Sequence, residues 1–245
     1  MKIAVLGATR GMGRALARKL AQRGERLFLL GRNPLELERS ARDLEAHGAP
    51  VEVGTAHCDL LDPDSFEPAL EAADRALSGF DTLIVTAGLF ATQDALEADS
   101  AARARLLSAD FSHTVQLCEL ARERLLARGG GTLCVFSSVA GERGRKPVIL
   151  YGAAKAGLSH YLEGLDHKFR KRGLRVVSVK PGFVRTGTTA QLDAPPFAGE
   201  PERVAARVAR AIERGRPVVY APAIWRWITG GIRLLPRAAL RRIDF

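Results

Sequence analysis

The opening of the chain restricts the fold more than any other stretch. Lys2-Ile3-Ala4-Val5-Leu6 is almost wholly apolar, and Gly7-Ala8-Thr9-Arg10-Gly11-Met12-Gly13 follows at once. An apolar run that does not alternate suits a parallel strand buried on both faces. Behind the glycines, Ala15, Leu16 and Leu20 recur at helical spacing, and Gly24 closes the pattern. The order is strand, glycine-rich turn, helix. Such a turn lets the backbone approach a pyrophosphate, which then meets the N-terminus of the helix. The G-x-x-x-G-x-G spacing departs from G-x-G-x-x-G, but it stands directly after a strand, where a dinucleotide turn belongs. The candidate phosphate-side residues are Gly7, Thr9, Arg10, Gly11, Met12 and Gly13; a purely structural turn would use the same glycines.

A second apolar run, Arg26–Leu30, ends in Gly31-Arg32-Asn33. An acidic side chain at this point would hold the ribose 2′-hydroxyl of NAD, and none is present. Arg32 stands there instead, with Asn33 beside it and Arg10 in the preceding turn. Two guanidiniums suit a 2′-phosphate, so the expected cofactor is NADP(H) rather than NAD(H). Simple solvation of either arginine is the alternative.

The same alternation continues along the chain. Helical patterns cover Pro34–His47, Ser65–Leu77, Ala101–Arg128 and Tyr151–Arg172, and strand patterns cover Val51–Cys58, Thr82–Thr86, Leu133–Phe136, Leu174–Val179 and Pro217–Tyr220. Strands alternating with helices imply an α/β, doubly wound parallel sheet of Rossmann type, with helices on both faces. Asp59 and Leu60, at the end of the third strand, are placed to reach an adenine ring; capping the next helix is the alternative for Asp59. Ala87-Gly88, after the fourth strand, is a turn small enough to admit a cofactor. No repeat or linker divides residues 1–220, a length that buries a substantial core. Residues 221–245 read as a separate basic extension. Gly187–Glu200, with Pro195-Pro196, is the one long irregular stretch; a loop of that length is either a lid or disordered, and a lid is the favoured reading.

Composition excludes several classes. No apolar run nears the roughly 20 residues that span a bilayer. Met1–Leu6 runs straight into the turn without the parts of a signal peptide, so the expected location is cytoplasmic. Cys58, Cys118 and Cys134 have no metal-like spacing and read as buried thiols, and no histidine pair stands at ligand spacing. The net charge of +10 comes from 37 basic and 27 acidic residues. That charge suits a phosphorylated cofactor, anionic lipid or nucleic acid. Nucleic acid is the weakest of these readings, since no aromatic platform or reading helix accompanies the charge.

Chemistry concentrates between Ser138 and Lys155. Tyr151 and Lys155 lie four apart, on one face of a helix, and Ser138 follows the apolar run Leu133–Phe136. An ammonium beside a phenol favours phenolate and is expected to pull the tyrosine below its usual pKa of about 10. That makes Tyr151 a proton donor or acceptor near neutral pH, with Ser138 bonding the substrate oxygen. A helix start with a surface lysine has the same spacing.

In chain order these features are G-A-T-R-G-M-G, Asp59, A-G at 87–88, Ser138, Y-G-A-A-K at 151–155 and P-G-F-V-R-T at 181–186. The set resembles the short-chain dehydrogenase/reductase family over essentially the whole chain. The resemblance implies hydride transfer to or from a nicotinamide, with Tyr151 as acid/base. It assigns Lys155 to lowering the tyrosine pKa and contacting the nicotinamide ribose, and Ser138 to orienting the carbonyl or alcohol oxygen. Pro181, Gly182, Val184 and Thr186 would line the nicotinamide side. A homodimer or homotetramer built on Ala101–Arg128 and Tyr151–Arg172 is also implied.

Two positions depart from the family pattern. Asp110 stands where an asparagine usually helps hold a water in the proton relay; a carboxylate accepts a hydrogen bond there and stabilises Lys155 as a cation, but lacks the amide donor. Thr86 replaces one of an asparagine pair and is expected to tie adjacent strands less well. Binding of NADP(H) without turnover, as a sensor or scaffold, is the alternative that Asp110 leaves open.

S-S-V-A-G-E-R at 137–143, Y-G-A-A-K-A-G-L, P-G-F-V-R-T and the tail further resemble the decaprenylphosphoryl 2-keto-pentofuranose reductase branch, whose substrates are keto sugars on a polyprenyl phosphate. The tail, Ala221–Phe245, mixes Trp225, Trp227 and aliphatic residues with five arginines. That mixture suits a membrane interface, the mouth of an apolar pocket, or packing on the body. Gly230-Gly231 and Pro236 are expected to break any long helix in it.

Overall fold

The computed structural model describes residues 1–189, 194–195 and 197–243. Seven parallel strands form its sheet in the order β3-β2-β1-β4-β5-β6-β7. They are β1 Lys2–Leu6, β2 Arg26–Gly31, β3 Gly54–His57, β4 Thr82–Val85, β5 Gly131–Phe136, β6 Leu174–Pro181 and β7 Val218–Ala221. The helices are α1 Gly11–Ala21, α2 Pro34–Ala46, α3 Phe66–Leu77, α4 Gln93–Ala98, α5 Ser100–Leu107, α6 His113–Ala127, α7 Ile149–Phe169, α8 Pro201–Arg214, α9 Trp225–Leu234 and α10 Arg237–Leu240.

The strands lack a polar face because both faces are covered. Ile3, Val5, Leu27, Leu29, Val177 and Val179 pack with α1, α2 and α8. Their neighbours Ala4, Leu6, Phe28, Leu30 and Val176 point the other way, onto α3, α6 and α7. The odd and even positions of one strand therefore serve two separate cores, which removes the alternation seen in half-exposed strands. Burial drives the three cysteine thiols up, Cys58 to about 12, so they remain protonated packing groups.

The strand order reverses between β1 and β4, and ligands of such sheets bind at the carboxyl ends of the strands on either side of that switch. The backbone is packed to its limit there. A Cβ on Gly13 would fall on the Gly7 carbonyl oxygen, and one on Gly7 would lie 2.6 Å from Ala87 N. Thr86, expected to be a weaker tie than asparagine, still bridges the strands. Its hydroxyl donates to the carbonyls of Leu6, at 3.1 Å, and Gly7, at 3.0 Å, so it does tie β4 to β1.

Several expectations need correcting. The stretch 101–128 is not one helix: α5 and α6 are joined by a π-helical turn, Ser108–Ser112, that holds Asp110. Asp99 caps α5 by accepting from Ala101 N, at 2.8 Å, and Ala102 N, at 3.0 Å. β3 starts at Gly54 rather than Val51, and α7 starts at Ile149, ahead of Tyr151. The glycine pair 230–231 does not break α9; the helix runs through it and stops before Pro236. α4 and α8 lay outside the helical patterns identified in the sequence. In the anticipated lid, Gly187–Thr189 forms a 3₁₀ turn and Val184 pairs with Gly199, while residues 190–193 and 196 lie outside the described residues. Among the described residues, no helix is long and apolar enough to cross a membrane.

Thr86→Val keeps the shape of the side chain and removes the donor shared by two strand-end carbonyls. A loss of about 1–2 kcal/mol in urea unfolding is expected, with Thr86→Ser close to the parent. Equal stability of all three proteins would show that the hydroxyl does not hold the switch point together.

Candidate functional site

Two cavities open at the carboxyl edge of the sheet and meet at Gly88 and Leu89. The first, about 270 Å³, is lined by Gly7, Thr9, Arg10, Arg32, Asn33, Asp59, Leu60, Ala87 and Gly88 among others. All nine belong to the cofactor set anticipated from sequence. Arg10 and Arg32 are exposed at its rim. Glu36 also lines it, with its carboxylate 4.0 Å from Arg10 and 3.4 Å from Arg39. Asn33 is partly committed, since its side chain accepts from Glu36 N at 3.2 Å and caps α2. Asp59 does not cap a helix; it closes a turn by accepting from Leu61 N at 3.0 Å.

The second cavity, about 300 Å³, holds Met12, Ser138, Tyr151, Lys155, Pro181, Gly182, Val184 and Thr186. Gly11 and Gly13 line neither cavity. Asp110 lines neither as well and lies behind Gly88, whose added Cβ would stand 2.9 Å from Asp110 Oδ1 and 3.3 Å from Lys155 Nζ. The close backbone contacts around Gly7 and Gly13 form the kind of cradle that a dinucleotide pyrophosphate needs, and the continuous groove has room for a nucleotide at each end.

Ser138 follows β5 by two residues and turns the chain. Its hydroxyl accepts from Ala140 N at 3.1 Å and starts the 3₁₀ turn Val139–Glu142. The neighbouring Ser137 fastens α7 to the strand, donating to Lys155 O at 2.9 Å and sharing a 2.7 Å bond with Ser159. Gln93 on α4 accepts from Leu150 N at 3.1 Å and fixes the start of α7. Tyr151 follows, its ring edge-on to Phe90 with centroids 5.1 Å apart.

Lys155 is 4% exposed and Asp110 is fully buried. The ammonium lies 3.4 Å from Asp110 Oδ2, 3.4 Å from Phe136 O, and 5.7 Å from the centre of the Tyr151 ring. Asp110 Oδ1 accepts from Leu89 N at 2.6 Å. Burial raises the Asp110 carboxyl above its usual range, against the pull of Lys155 and of the Leu89 amide. Tyr151 runs opposite to expectation. Its phenol is raised, chiefly by burial and further by Asp110, while Lys155 and Ser138 pull it down without prevailing. The sequence showed the lysine and placed Asp110 near it, but not the desolvation that outweighs the lysine.

Trp225 belongs to the same cleft. Its indole covers Gly182, where any side chain would collide with the ring, and it meets Phe197 edge-on at 5.2 Å. The Nε1 hydrogen is buried without an acceptor among the described residues. Sequence reasoning placed Trp225 in the tail as a whole. The available signal was its position just past the last strand, on the edge where such sheets bind ligands. Phe90, Arg145, Val148, Phe183 and Thr189 also line the cleft and were not singled out beforehand.

A doubly wound parallel sheet with a glycine cradle at its switch point, opening onto a buried lysine and a tyrosine, defines a nucleotide-binding α/β protein. The family described as short chain dehydrogenase matches residues 1–196. An uncharacterized oxidoreductase of Mycobacterium tuberculosis is 34% identical over 98% of this chain and 96% of its own length. Carbonyl reductase family member 4 of Xenopus tropicalis is 31% identical over 86% of this chain and 90% of its own. A variant of the actinorhodin polyketide ketoreductase, solved with NADPH, shares the fold with a TM-score of 0.80 at 21% identity, covering 89% of this chain and 95% of that one. The chain belongs to the short-chain dehydrogenase/reductase family of oxidoreductases.

Asp110→Asn removes the negative charge that pushes the Tyr151 phenol up. Titration of a ¹³C-tyrosine label at Tyr151 should begin at lower pH in the variant than in the parent, and at higher pH in Lys155→Met. Identical titrations in all three would mean that neither charge reaches the ring.

Proposed function

We propose that the protein is an NADPH-dependent reductase that converts a ketone to a secondary alcohol, with Tyr151 giving its proton to the carbonyl oxygen. The observation that carries this reading is the convergence of Ser138, Tyr151 and Lys155 on the cleft that continues the glycine-lined groove. When bound, the nicotinamide dinucleotide supplies the hydride. The Ser138 hydroxyl holds the carbonyl oxygen in place. The Lys155 cation beside Tyr151 favours the phenolate left after proton transfer, and Asp110 keeps that cation in position. Phe90, Phe183 and Trp225 wall the cleft with apolar surface that excludes water.

Preference for NADPH is supported by Arg10 and Arg32 at the rim, where no carboxylate follows β2 directly. Glu36 opposes a 2′-phosphate from across the same pocket, so the selectivity rests on the balance of these charges. The name of the carbonyl reductase relative supports the ketone as substrate class. The motifs around Ser138 and Tyr151 support the finer reading of a keto sugar on a lipid phosphate.

The tail fits that reading. Arg233 bonds Glu142 at 3.1 Å, Arg143 donates to Leu235 O at 3.1 Å, and Trp225 enters the cleft. Trp227, 77% exposed, and Leu234, 86% exposed, face outward on one side of α9, a stripe suited to the interfacial layer of a membrane next to a cytoplasmic enzyme. Exposed Leu107 and Phe111, at the joint of α5 and α6, support a homodimer or homotetramer built on this helical face. The buried carboxylate beside Lys155 favours the second reading, NADP(H) binding without turnover.

NADPH oxidation with a panel of ketones and a polyprenyl-phosphate keto sugar tests the proposal. Turnover with NADPH well above that with NADH is expected, together with a loss of about 10²–10⁴-fold in Tyr151→Phe. Arg10→Ala with Arg32→Ala should erase the preference for NADPH. Turnover indifferent to Tyr151→Phe would overturn the assignment of the proton donor. Tight NADPH binding with no turnover on any ketone would favour the non-catalytic reading.

A further inference from the structure

The sheet ends at β7, and the α8 helix beside it carries a cluster of arginines that the groove does not use. α8 stops at Gly215, whose left-handed conformation (φ 58°) lets Arg216 N donate to Ala211 O at 3.0 Å. The turn folds Arg216 back against the end of the helix. There it lines a cavity of about 160 Å³ together with Arg207, Arg210 and Arg214. Positions 207, 210 and 214 are three and four apart and share one face of α8. Ala211, Val218 and Val219 form the floor. None of these residues lines the groove or the cleft.

The cations are not spent on acids. Among the described residues, Arg210, Arg214 and Arg216 make no ion pair and no side-chain hydrogen bond, and all three are exposed. Arg207 donates from Nε to Tyr220 O at 2.7 Å, which fixes its guanidinium and leaves the terminal nitrogens for a ligand. The acids on and beside α8 serve other partners. Glu200 meets Arg185 at 2.6 Å, Glu213 meets Arg23 at 3.8 Å, and Glu202 acts on Arg18 of α1. Four like charges around one small concavity repel one another, and an anion among them replaces that repulsion with attraction.

We infer that this cavity binds a linear oligophosphate, a chain of two or three phosphoryl groups, either inorganic or borne by a nucleotide. Guanidiniums meet phosphate oxygens in paired, charge-assisted hydrogen bonds. The length of the cluster sets the size of the ligand. Positions 207 and 214 are about 10 Å apart along the helix, a span that a phosphoryl chain bridges and a single phosphate does not. A nucleic-acid duplex presents its phosphates along a broad backbone, whereas these guanidiniums face one small concavity. A second copy of the chain is the other occupant that an open sheet edge invites. The carbonyls of Pro217 and Ala221 face β6, accepting from Ser178 N and Gly182 N, so that of Tyr220 faces the free edge, where Arg207 covers it. Across a two-fold axis the same arginines would meet each other. The site does not rest on the proposed reductase activity.

The test is calorimetry on the full chain with tripolyphosphate at physiological ionic strength. Every protein carries Arg10→Ala with Arg32→Ala, which removes the cations of the dinucleotide groove. Saturable 1:1 binding is expected, weakened roughly tenfold or more by Arg210→Ala with Arg214→Ala and Arg216→Ala. Arg42→Ala with Arg75→Ala and Arg105→Ala removes as much charge from exposed positions elsewhere and should leave the affinity within about twofold. ATP distinguishes the sources: affinity equal to that of tripolyphosphate means that the chain alone is read, and tighter binding means a nucleotide, with either one lost in the first triple variant. Three outcomes would overturn the proposal: equal weakening by the two triple variants, orthophosphate binding as tightly as tripolyphosphate, or binding of duplex DNA without binding of tripolyphosphate.

Discussion

The buried pair of Lys155 and Asp110 joins four segments that are far apart in sequence. Asp110 comes from the π-turn between α5 and α6, and it holds the backbone of Leu89 in the loop after β4. Lys155 comes from α7 and reaches the last carbonyl of β5 at Phe136. Two charges taken out of water hold one another in place, and removing either one leaves the other stranded at a cost on the order of 3–5 kcal/mol. The pair therefore fixes the loop that separates the two halves of the groove and the helix that presents Tyr151. Its electrostatic effect on the phenol is divided: the cation lowers the pKa, and the carboxylate gives back part of that gain.

The pair works because the sheet delivers its segments to one edge. All the strands run in one direction, so their carboxyl ends and the loops that follow lie together. At the switch between β1 and β4 the backbone comes so close that side chains are excluded, and Thr86 occupies the remaining space with a bifurcated bond. The edge is also the basic side of the cavities. Arg10 and Arg32 stand at one end of the groove, and Arg145 lines the cleft at the other.

Much of this was legible in sequence, because each legible part is local. The run Lys2–Leu6 and the glycines behind it define a strand and a turn without reference to anything distant, and Tyr151 and Lys155 share a helix face by spacing alone. What was not legible depends on partners far along the chain. The π-turn at Ser108–Ser112 breaks a stretch rich in alanine and leucine, and it does so where a buried carboxylate meets a lysine 45 positions later. The raised phenol of Tyr151 needs the burial created by Phe90 and the cleft walls. Thr86 reads as a weaker tie until the carbonyls of Leu6 and Gly7 are seen above it. Trp225 reads as part of an amphipathic tail until β7 sets it down over Gly182.

The claim that most needs testing is that this cleft passes a hydride to a carbonyl carbon. NADPH carrying deuterium at the transferable position of the nicotinamide, incubated with a reducible ketone, answers it directly. One deuterium is expected on the carbinol carbon of a single product enantiomer, with the hydroxyl proton drawn from solvent through Tyr151. Product without deuterium at that carbon, or a racemic product that forms equally well in Tyr151→Phe, would contradict it.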